Sequence, residues 1–227
     1  MRYLLLGALV LGALTVAPSA GATNECRGLN PCVPVAGPWV VVPTGTTVPR
    51  PQSQYQLTCP RGFIVAGIDA ELSDQAIDLT FMGTSGTPVS PGVTTSRSIV
   101  FVASYVGERP RAPTFRPHIG CVPATGGGTR TPTAVRAVTP PGHPTTRRVV
   151  NERVRGESTV DTACRADERL VGWYFARGFG TPAPPAPALV ASLHTKALVS
   201  RNSVSVLARA GRGQGIVQVG AICAGGR

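Results

Sequence analysis

The sequence predicts an all-β protein made of two tandem, small β-sandwich-like domains, each stapled by one disulfide. Three observations predict this class: short apolar runs bounded by turn residues, six cysteines behind an export signal, and a similarity between the two halves of the chain. The chain has 227 residues, of which 42% are hydrophobic, with 27 Gly and 22 Pro. This composition favours a packed core over disorder and disfavours long helices.

The first 22 residues have the features of a secretory signal peptide. Arg2 gives a positive start, Leu4 to Val16 form an apolar run, and Ala20 and Ala22 make a cleavage site. The run is too short to span a bilayer as a stable helix, and no later segment is long and apolar enough to do so. A buried N-terminal helix is the alternative. We therefore expect a secreted protein whose mature chain starts near Thr23.

The two halves of the chain share four sequence anchors in the same order, which indicates a diverged duplication. These are Cys59…Gly67 and Cys164…Gly172, Phe81…Pro88 and Phe175…Pro182, Ser96-Arg97 and Ser200-Arg201, and the closing runs into Cys121 and Cys223. Since one cysteine opens each unit and one closes it, Cys59–Cys121 and Cys164–Cys223 should pair. Export makes disulfides the expected state of the remaining two cysteines, so Cys26–Cys32 should form a short N-terminal clip.

The duplication and the composition together predict the domain boundaries. A Gly/Thr-rich stretch has the character of a flexible linker. The predicted segments are a signal peptide (1–22), an N-terminal segment with the clip (23–33), β-domain 1 (34–123), the linker (124–133) and β-domain 2 (134–227).

Short runs rich in β-branched residues predict the strands. They are Gln54–Cys59, Phe63–Ile68, Ala76–Met82, Ser98–Val106, Arg148–Arg155, Ser158–Cys164, Leu170–Phe175, Asn202–Arg209 and Ile216–Cys223. In Asn202–Arg209, small apolar residues alternate with polar ones, as expected for a half-buried strand. Gly211 to Gly215 predict the turn of a hairpin. Ala186 to Leu198 carry a weak helical pattern, better interpreted as a loop plus a strand.

The opening of the first unit, Cys59-Pro60-Arg61-Gly62 followed by apolar residues and Gly67, resembles a module of secreted, mostly uncharacterised proteins of high-GC bacteria. A closing strand into a cysteine completes the resemblance. The second copy departs from the motif, because Arg165-Ala-Asp167 replaces Pro-x-Gly. The resemblance implies secreted β modules and transfers no catalytic residue.

The sequence offers little for catalysis or for a cofactor. His118, His143 and His194 are not at metal-ligand spacing, and the cysteines are assigned to disulfides, so no metal and no cofactor are expected. The segment Gly83-Thr-Ser85-Gly86 breaks the nucleophile-elbow pattern. A Ser/His/Asp set assembled from distant positions stays open as an alternative.

One acidic cluster is a candidate site. Asp69, Glu71, Asp74 and Asp78 lie within ten positions, and Asp69 and Glu71 should point to one face of a strand. Such a pair suits glycoside hydrolysis or Ca²⁺ binding. The simpler interpretation is a polar sheet edge that keeps the protein from aggregating.

Basic and aromatic residues supply two further candidates. The formal net charge is +11, and the candidate anion-binding residues are Arg109, Arg111, Arg116, Arg147, Arg148, Arg153 and Arg155. Nucleic acid is a disfavoured partner, because few aromatics lie among these charges and no known motif is present. The candidate carbohydrate-stacking residues are Trp39, Tyr55, Trp173, Tyr174 and Phe175. Solvated arginines and core aromatics are the plainer interpretations.

The sequence therefore favours a secreted, non-catalytic β-module protein that binds the cell envelope or an anionic extracellular polymer. The rival hypothesis is a secreted hydrolase with an acidic site at Asp69 and Glu71. A scaffold without a ligand is a third possibility. The sequence leaves the oligomeric state open.

Overall fold

The computed structural model describes residues 23–83, 97–108, 112–124 and 145–225. The predicted signal peptide and nearly all of the predicted linker lie outside these residues. The strands and the single short helix are, in chain order, β1 (Val33–Ala36), β2 (Trp39–Val41), β3 (Gln52–Thr58), β4 (Phe63–Leu72), β5 (Ile77–Gly83), β6 (Ser98–Tyr105), β7 (Thr114–Pro123), β8 (Thr145–Ala163), β9 (Glu168–Phe179), α1 (Pro187–Ala191), β10 (Leu193–Val199) and β11 (Ser203–Gly225). Within the described ranges, no helix is long and apolar enough to cross a membrane.

The strands form two antiparallel sheets, which confirms the all-β class. The larger sheet has eight strands in the order β1-β7-β2-β9-β11-β10, with β4 added on β7 and β8 on β11, and the smaller has the order β3-β6-β5. Strand β2 pairs with β7 through Val40 and Phe115 and with β9 through Trp39 and Phe179. The expectation of two separate tandem domains is not confirmed, since one sheet contains strands from both halves.

The first half is a sandwich of the small sheet against β1, β4 and β7. Its core holds large side chains from both layers, including Phe101 of β6 and Phe115 of β7, whose ring centroids lie 6.4 Å apart. The Cys59–Cys121 disulfide joins the end of β3 to β7 and thereby links the two layers. This pairing and the other two disulfides, Cys26–Cys32 and Cys164–Cys223, confirm the predicted set.

The second half is built on two long strands that bend together. The residues 203–210 of β11 pair with 156–163 of β8, and 215–224 pair with 145–154, with a register shift between the two stretches. Gly156 and Gly213 lie at φ values of 71°, a left-handed conformation that glycine adopts without a steric penalty. The Cys164–Cys223 disulfide joins the two arms, which enclose a valine-rich core.

The predicted hairpin at 211–215 is therefore wrong. In a hairpin the two flanking runs would pair with each other, whereas here both pair with β8. The glycines bend one continuous strand instead of reversing it. The alternation predicted for Asn202–Arg209 is confirmed, because Val204, Val206 and Ala208 are buried between less buried neighbours.

The other predicted strands are present in the structure, but most of them begin or end at different residues. The two predicted runs between Arg148 and Cys164 are parts of the single strand β8, and the weak helical pattern resolves into the five-residue helix α1 followed by β10. Strands β1 and β2 were not predicted, and β7 was expected only as a short closing strand into Cys121. Prolines at positions 34, 117 and 123 stand within β1 and β7 and weaken the strand signal there.

The N-terminal clip packs on the outer face of the first sandwich. A Cβ at Gly67 would lie 1.7 Å from the Glu25 carbonyl oxygen, and one at Gly120 would lie 2.1 Å from it. Only glycine therefore allows the backbone of the clip to approach β4 and β7 this closely. The Glu25 side chain is buried as well.

The same register occurs in both halves. Gly67 lies opposite Gly120, the residue before Cys121, and Gly172 lies opposite Ile222, the residue before Cys223. A register shift lies directly before Gly67 in the β4–β7 ladder and directly before Gly172 in the β9–β11 ladder. The residue eight positions after each opening cysteine thus occupies the same place in its sheet.

Candidate functional site: a cavity at the junction of the two halves

A buried side chain at the junction of the two halves, Gln218 of β11, links them by hydrogen bonds. Its carboxamide accepts a hydrogen bond from the Gln56 backbone N–H at 2.6 Å and donates to the Gln56 carbonyl at 3.0 Å. It also donates to Asn151 Oδ1 at 2.9 Å. Since β3 is an edge strand of its sheet, the carboxamide satisfies backbone groups that a neighbouring strand would otherwise pair. This contact fixes β3 against the second half.

Strand β9 carries three chemically distinct side chains in a row on one face. Trp173, Phe175 and Arg177 alternate with Tyr174 and Ala176, which are buried on the opposite face. The Trp173 side chain is 42% exposed and its ring is nearly parallel to that of Phe175, at an interplanar angle of 6° and a centroid distance of 6.3 Å. The row therefore runs from an exposed aromatic ring to a half-buried cation.

The inner end of this row lines a cavity of about 390 Å³. The walls come from the segment after β2, the start of β3, strand β9 and strand β10, so both halves contribute. The lining residues are Val41, Pro43, Pro51, Gln52, Ser53, Phe175, Ala176, Arg177 and Thr195. An apolar pocket with a few polar groups and one charge is typical of a small-molecule or oligomer site.

Arg177 has an unusual environment for a half-buried cation. Its Nη1 donates to the Leu193 carbonyl at 2.6 Å, which ties β9 to the start of β10. Burial lowers the pKa of Arg177 below its usual value, and no other influence on this pKa is resolved. All 11 acidic residues lie in the described part of the chain, and none forms an ion pair with it. A guanidinium has five donors, so most of its capacity is left for a ligand.

The paired acids of the predicted acidic site do share one sheet face, as expected. Asp69 lies opposite His118 and Glu71 opposite Arg116 in the β4–β7 ladder. Both carboxylates are occupied within the protein. Asp69 accepts from the backbone N–H groups of Asn24 and Ala70.

Glu71 and Glu25 enclose His118. The His118 Nε2 lies 2.9 Å from Glu71 Oε1, and its Nδ1 lies 3.9 Å from Glu25 Oε1. Arg116 lies 3.8 Å from Glu71. These contacts hold the N-terminal clip on the sheet, so the cluster has a structural use that accounts for its residues.

The other two predicted acids lie elsewhere. Asp74 caps the connection before β5 by accepting from the Ala76 N–H, and it also accepts from the Tyr105 hydroxyl. Asp78 is exposed on β5, in the small sheet. The four acids close together in sequence are thus not one site.

The predicted arginine patch is also divided. Arg109 and Arg111 lie outside the described residues. Arg148 forms two hydrogen bonds with Glu168, whereas Arg147 contacts Gln54. The hydrogen bond from Arg148, followed by that from the Arg165 backbone, lowers the pKa of Glu168.

The remaining predicted arginines behave differently from one another. Arg116 is tied to Glu71 and also donates to the Gly37 carbonyl. Arg153 and Arg155 are exposed on β8, and no acidic residue forms an ion pair with either of them in the described part of the chain. These two are the members of the predicted patch that remain accessible to an anion.

The predicted aromatic set separates in the same way. Trp39, Tyr55 and Tyr174 are buried, so they are core residues. Burial raises the pKa of Tyr174 to about 12, although Arg147, whose guanidinium carbon lies 5.2 Å from the ring centroid, acts in the opposite direction. Of the five, Phe175 lines the cavity, and Trp173 is exposed two residues before it on the same face of β9.

Two further sequence candidates have simple outcomes. His143 and Ser85 lie outside the described residues, and His194 is exposed on β10. One cluster in the described residues, Cys164, Glu168 and Cys223, has ligand atoms close enough for a metal. Its sulfurs are joined in a disulfide and its carboxylate is held by Arg148, so it is not a metal site.

The sequence interpretation missed Arg177. The predicted strand ended at Phe175, whereas β9 continues to Phe179. The alternation of Trp173, Phe175 and Arg177 at every second residue was the signal that pointed to a shared face.

The comparison with protein families finds no matching family model, and the comparison with curated proteins finds no matching relative. The function must therefore be argued from the cavity itself.

Proposed function

We propose that the protein is an extracellular, non-catalytic module that binds an anionic polymer, such as an acidic component of the cell envelope, in the cavity beside Arg177. One observation carries the proposal: a half-buried guanidinium lines a cavity of about 390 Å³ and has no carboxylate partner among the described residues.

The physical argument concerns the cost of a desolvated charge. Removing a cation from water is unfavourable unless an anion or hydrogen-bond acceptors replace the water. The Leu193 carbonyl satisfies part of the Arg177 guanidinium. A carboxylate or phosphate of a ligand would satisfy the rest through charge-assisted hydrogen bonds, which are stronger than neutral ones. The net positive charge of the chain adds a long-range attraction for polyanions.

The extracellular location is part of the proposal. Three disulfides and no free cysteine among the described residues are compatible with an oxidising compartment. The predicted signal peptide supports the same location. We also propose that the chain arose by duplication, which the equal register of Gly67 and Gly172 supports.

The rival hydrolase hypothesis gains no support from the geometry. A glycosidase needs one carboxylate free to act as an acid and another free as a base or nucleophile. Asp69 caps backbone N–H groups, and Glu71 is held by His118 and Arg116.

The test is a binding titration of the purified protein against polygalacturonate and inorganic polyphosphate at low and moderate salt. We expect binding that weakens as salt increases, because counterions compete for the charges. Arg177→Gln should weaken binding about tenfold or more, which corresponds to the loss of about 1.4 kcal/mol.

The matched controls are Arg153→Gln and Arg155→Gln. Each removes the same charge from an exposed position outside the Arg177 cavity, so each should change the affinity less than twofold. If these variants lose binding and Arg177→Gln does not, the β8 arginines are the site and the cavity is not. If neither polyanion binds at low salt, the proposed function is wrong.

A further inference from the structure

We infer that the polymer is an acidic polysaccharide, with sugar rings stacked on Trp173 and Phe175 and a sugar carboxylate bound to Arg177. This inference rests on the proposed function and names the ligand class of the same site. It differs from simple anion binding because it requires the aromatic part of the β9 face as well as the cation.

The spacing along β9 decides the size of the ligand. Alternate residues of a strand lie about 6.6 Å apart, so Trp173 and Arg177 are separated by about 13 Å along the strand. A small anion at Arg177 does not reach the Trp173 ring. A chain of several sugar residues lying along the strand reaches both, with Phe175 between them at the mouth of the cavity.

Trp173 presents an exposed aromatic ring, and its neighbour Phe175 packs partly against the valine-rich core and supports that ring. The protein has two tryptophans: Trp39 is 2% exposed in the core, whereas Trp173 is 42% exposed. The Trp173 ring is parallel to that of Phe175, so the two rings present faces of similar orientation. The C–H face of a pyranose ring is apolar and flat, and it excludes water from an aromatic ring when the two stack.

The other lining residues fit a hydroxylated ligand. Gln52, Ser53 and Thr195 line the cavity together with Arg177. An amide and hydroxyl groups both donate and accept hydrogen bonds, as do the hydroxyl groups of a sugar. A ligand that carries only acceptors, such as polyphosphate, uses less of this lining.

The charge of the cavity distinguishes a polysaccharide from nucleic acid. Single-stranded nucleic acid also stacks on aromatic rings, but it carries a phosphate at every residue and needs a groove of cations. Arg177 is the one charged residue of this cavity lining. A polymer with many hydroxyl groups and a carboxylate at the cation is the better match.

The experiment measures binding by tryptophan fluorescence in the unaltered protein. Iodide quenches an exposed tryptophan, so the quenchable signal reports Trp173. A galacturonic acid oligomer should reduce iodide quenching at least twofold, and its fully methyl-esterified form should bind at least tenfold more weakly. Polyphosphate should bind without protecting Trp173.

Variants separate the inference from the proposed function. Trp173→Ala should weaken binding of the galacturonic acid oligomer at least tenfold and change polyphosphate binding less than twofold. Leu198→Ala is the matched control, since Leu198 is an exposed apolar residue of β10 that does not line the cavity. A thermal unfolding curve for each variant shows that it is folded.

Each outcome decides one of the two proposals. If Trp173→Ala resembles Leu198→Ala and Arg177→Gln still weakens polyanion binding, the inference is wrong and the proposed function stands. If Arg177→Gln changes no binding, both are wrong. Tighter, Trp173-dependent binding of an oligodeoxythymidylate would assign the site to nucleic acid and overturn the inference.

Discussion

Replacing Gln218 by leucine tests whether the Gln218 carboxamide stabilises the junction between β3 and the second half of the protein. The leucine side chain has a similar size but no hydrogen-bonding group. The variant leaves the Gln56 backbone N–H and carbonyl, and the Asn151 carboxamide, without the partners that Gln218 provides. The β3 edge would then face an apolar side chain inside the protein.

The expected loss of stability follows from these contacts. A buried polar group that loses its partner costs about 1 to 3 kcal/mol, and two backbone groups are affected. The added apolar contacts of leucine offset part of this cost, so we expect the free energy of unfolding to fall by about 3 kcal/mol. For a chain of this size, the midpoint of thermal unfolding should fall by about 6 to 12 °C.

Thermal and urea unfolding, followed by circular dichroism, measure this change. Gln56→Ala is the control, because Gln218 contacts the backbone of residue 56 and not its side chain. The control should lose less than about 1 kcal/mol. A Gln218→Leu protein as stable as its control would show that the carboxamide does not secure the β3 edge.

Two further predictions concern the clip and the alkaline stability. Gly67→Val places a Cβ against the Glu25 carbonyl and should displace the clip, so hydrogen exchange in residues 24–32 should accelerate at least tenfold; Gly180→Ala, which has room for a Cβ, should leave it unchanged. Unaccelerated exchange would refute the role of Gly67. The pKa of Tyr174 is raised to about 12, against a usual value near 10, so the folded protein holds the hydroxyl proton more tightly than the unfolded chain does. The contribution of this group to the free energy of unfolding is therefore fully present below pH 10 and is lost as the pH rises towards 12. Tyr174→Phe should therefore reduce the loss of stability between pH 10 and 12, and an equally steep loss in that variant would contradict the assignment.

The sequence predicted the features that depend on local patterns and on the order of the sequence anchors that the two halves share. The alternation of Val204, Val206 and Ala208 follows from the two faces of a strand. The Cys59–Cys121 and Cys164–Cys223 disulfides follow from the order of the shared anchors, and Cys26–Cys32 follows because those two cysteines remain. Neither inference needed the position of any distant residue.

The sequence did not predict the features that depend on long-range packing. Gly211 to Gly215 fit both a hairpin turn and a bend, and only the pairing of both flanking runs with β8 distinguishes them. The three-residue strand β2 is too short to give a pattern, yet it joins the halves.

The sequence indicated residue types that recur in the candidate site, but it did not indicate where the site lies. The sequence suggested one set of anion-binding arginines and another set of sugar-stacking aromatic residues. It did not place a cation and the aromatic residues in the same site. Arg177 is half-buried because β10 and the start of β3 pack beside it, and those neighbours come from distant parts of the chain. A single arginine among 21 gives no local sign of such an environment.

Binding of an acidic sugar at Arg177 can be observed in an NMR titration that follows the Nε–Hε signals of the arginine side chains as a galacturonic acid oligomer is added. The Arg177 signal is assigned by its absence in Arg177→Gln. We expect the Arg177 signal to shift most and to saturate with the same affinity as the protection of Trp173. A titration in which Arg153 and Arg155 shift while Arg177 stays unchanged would contradict this expectation.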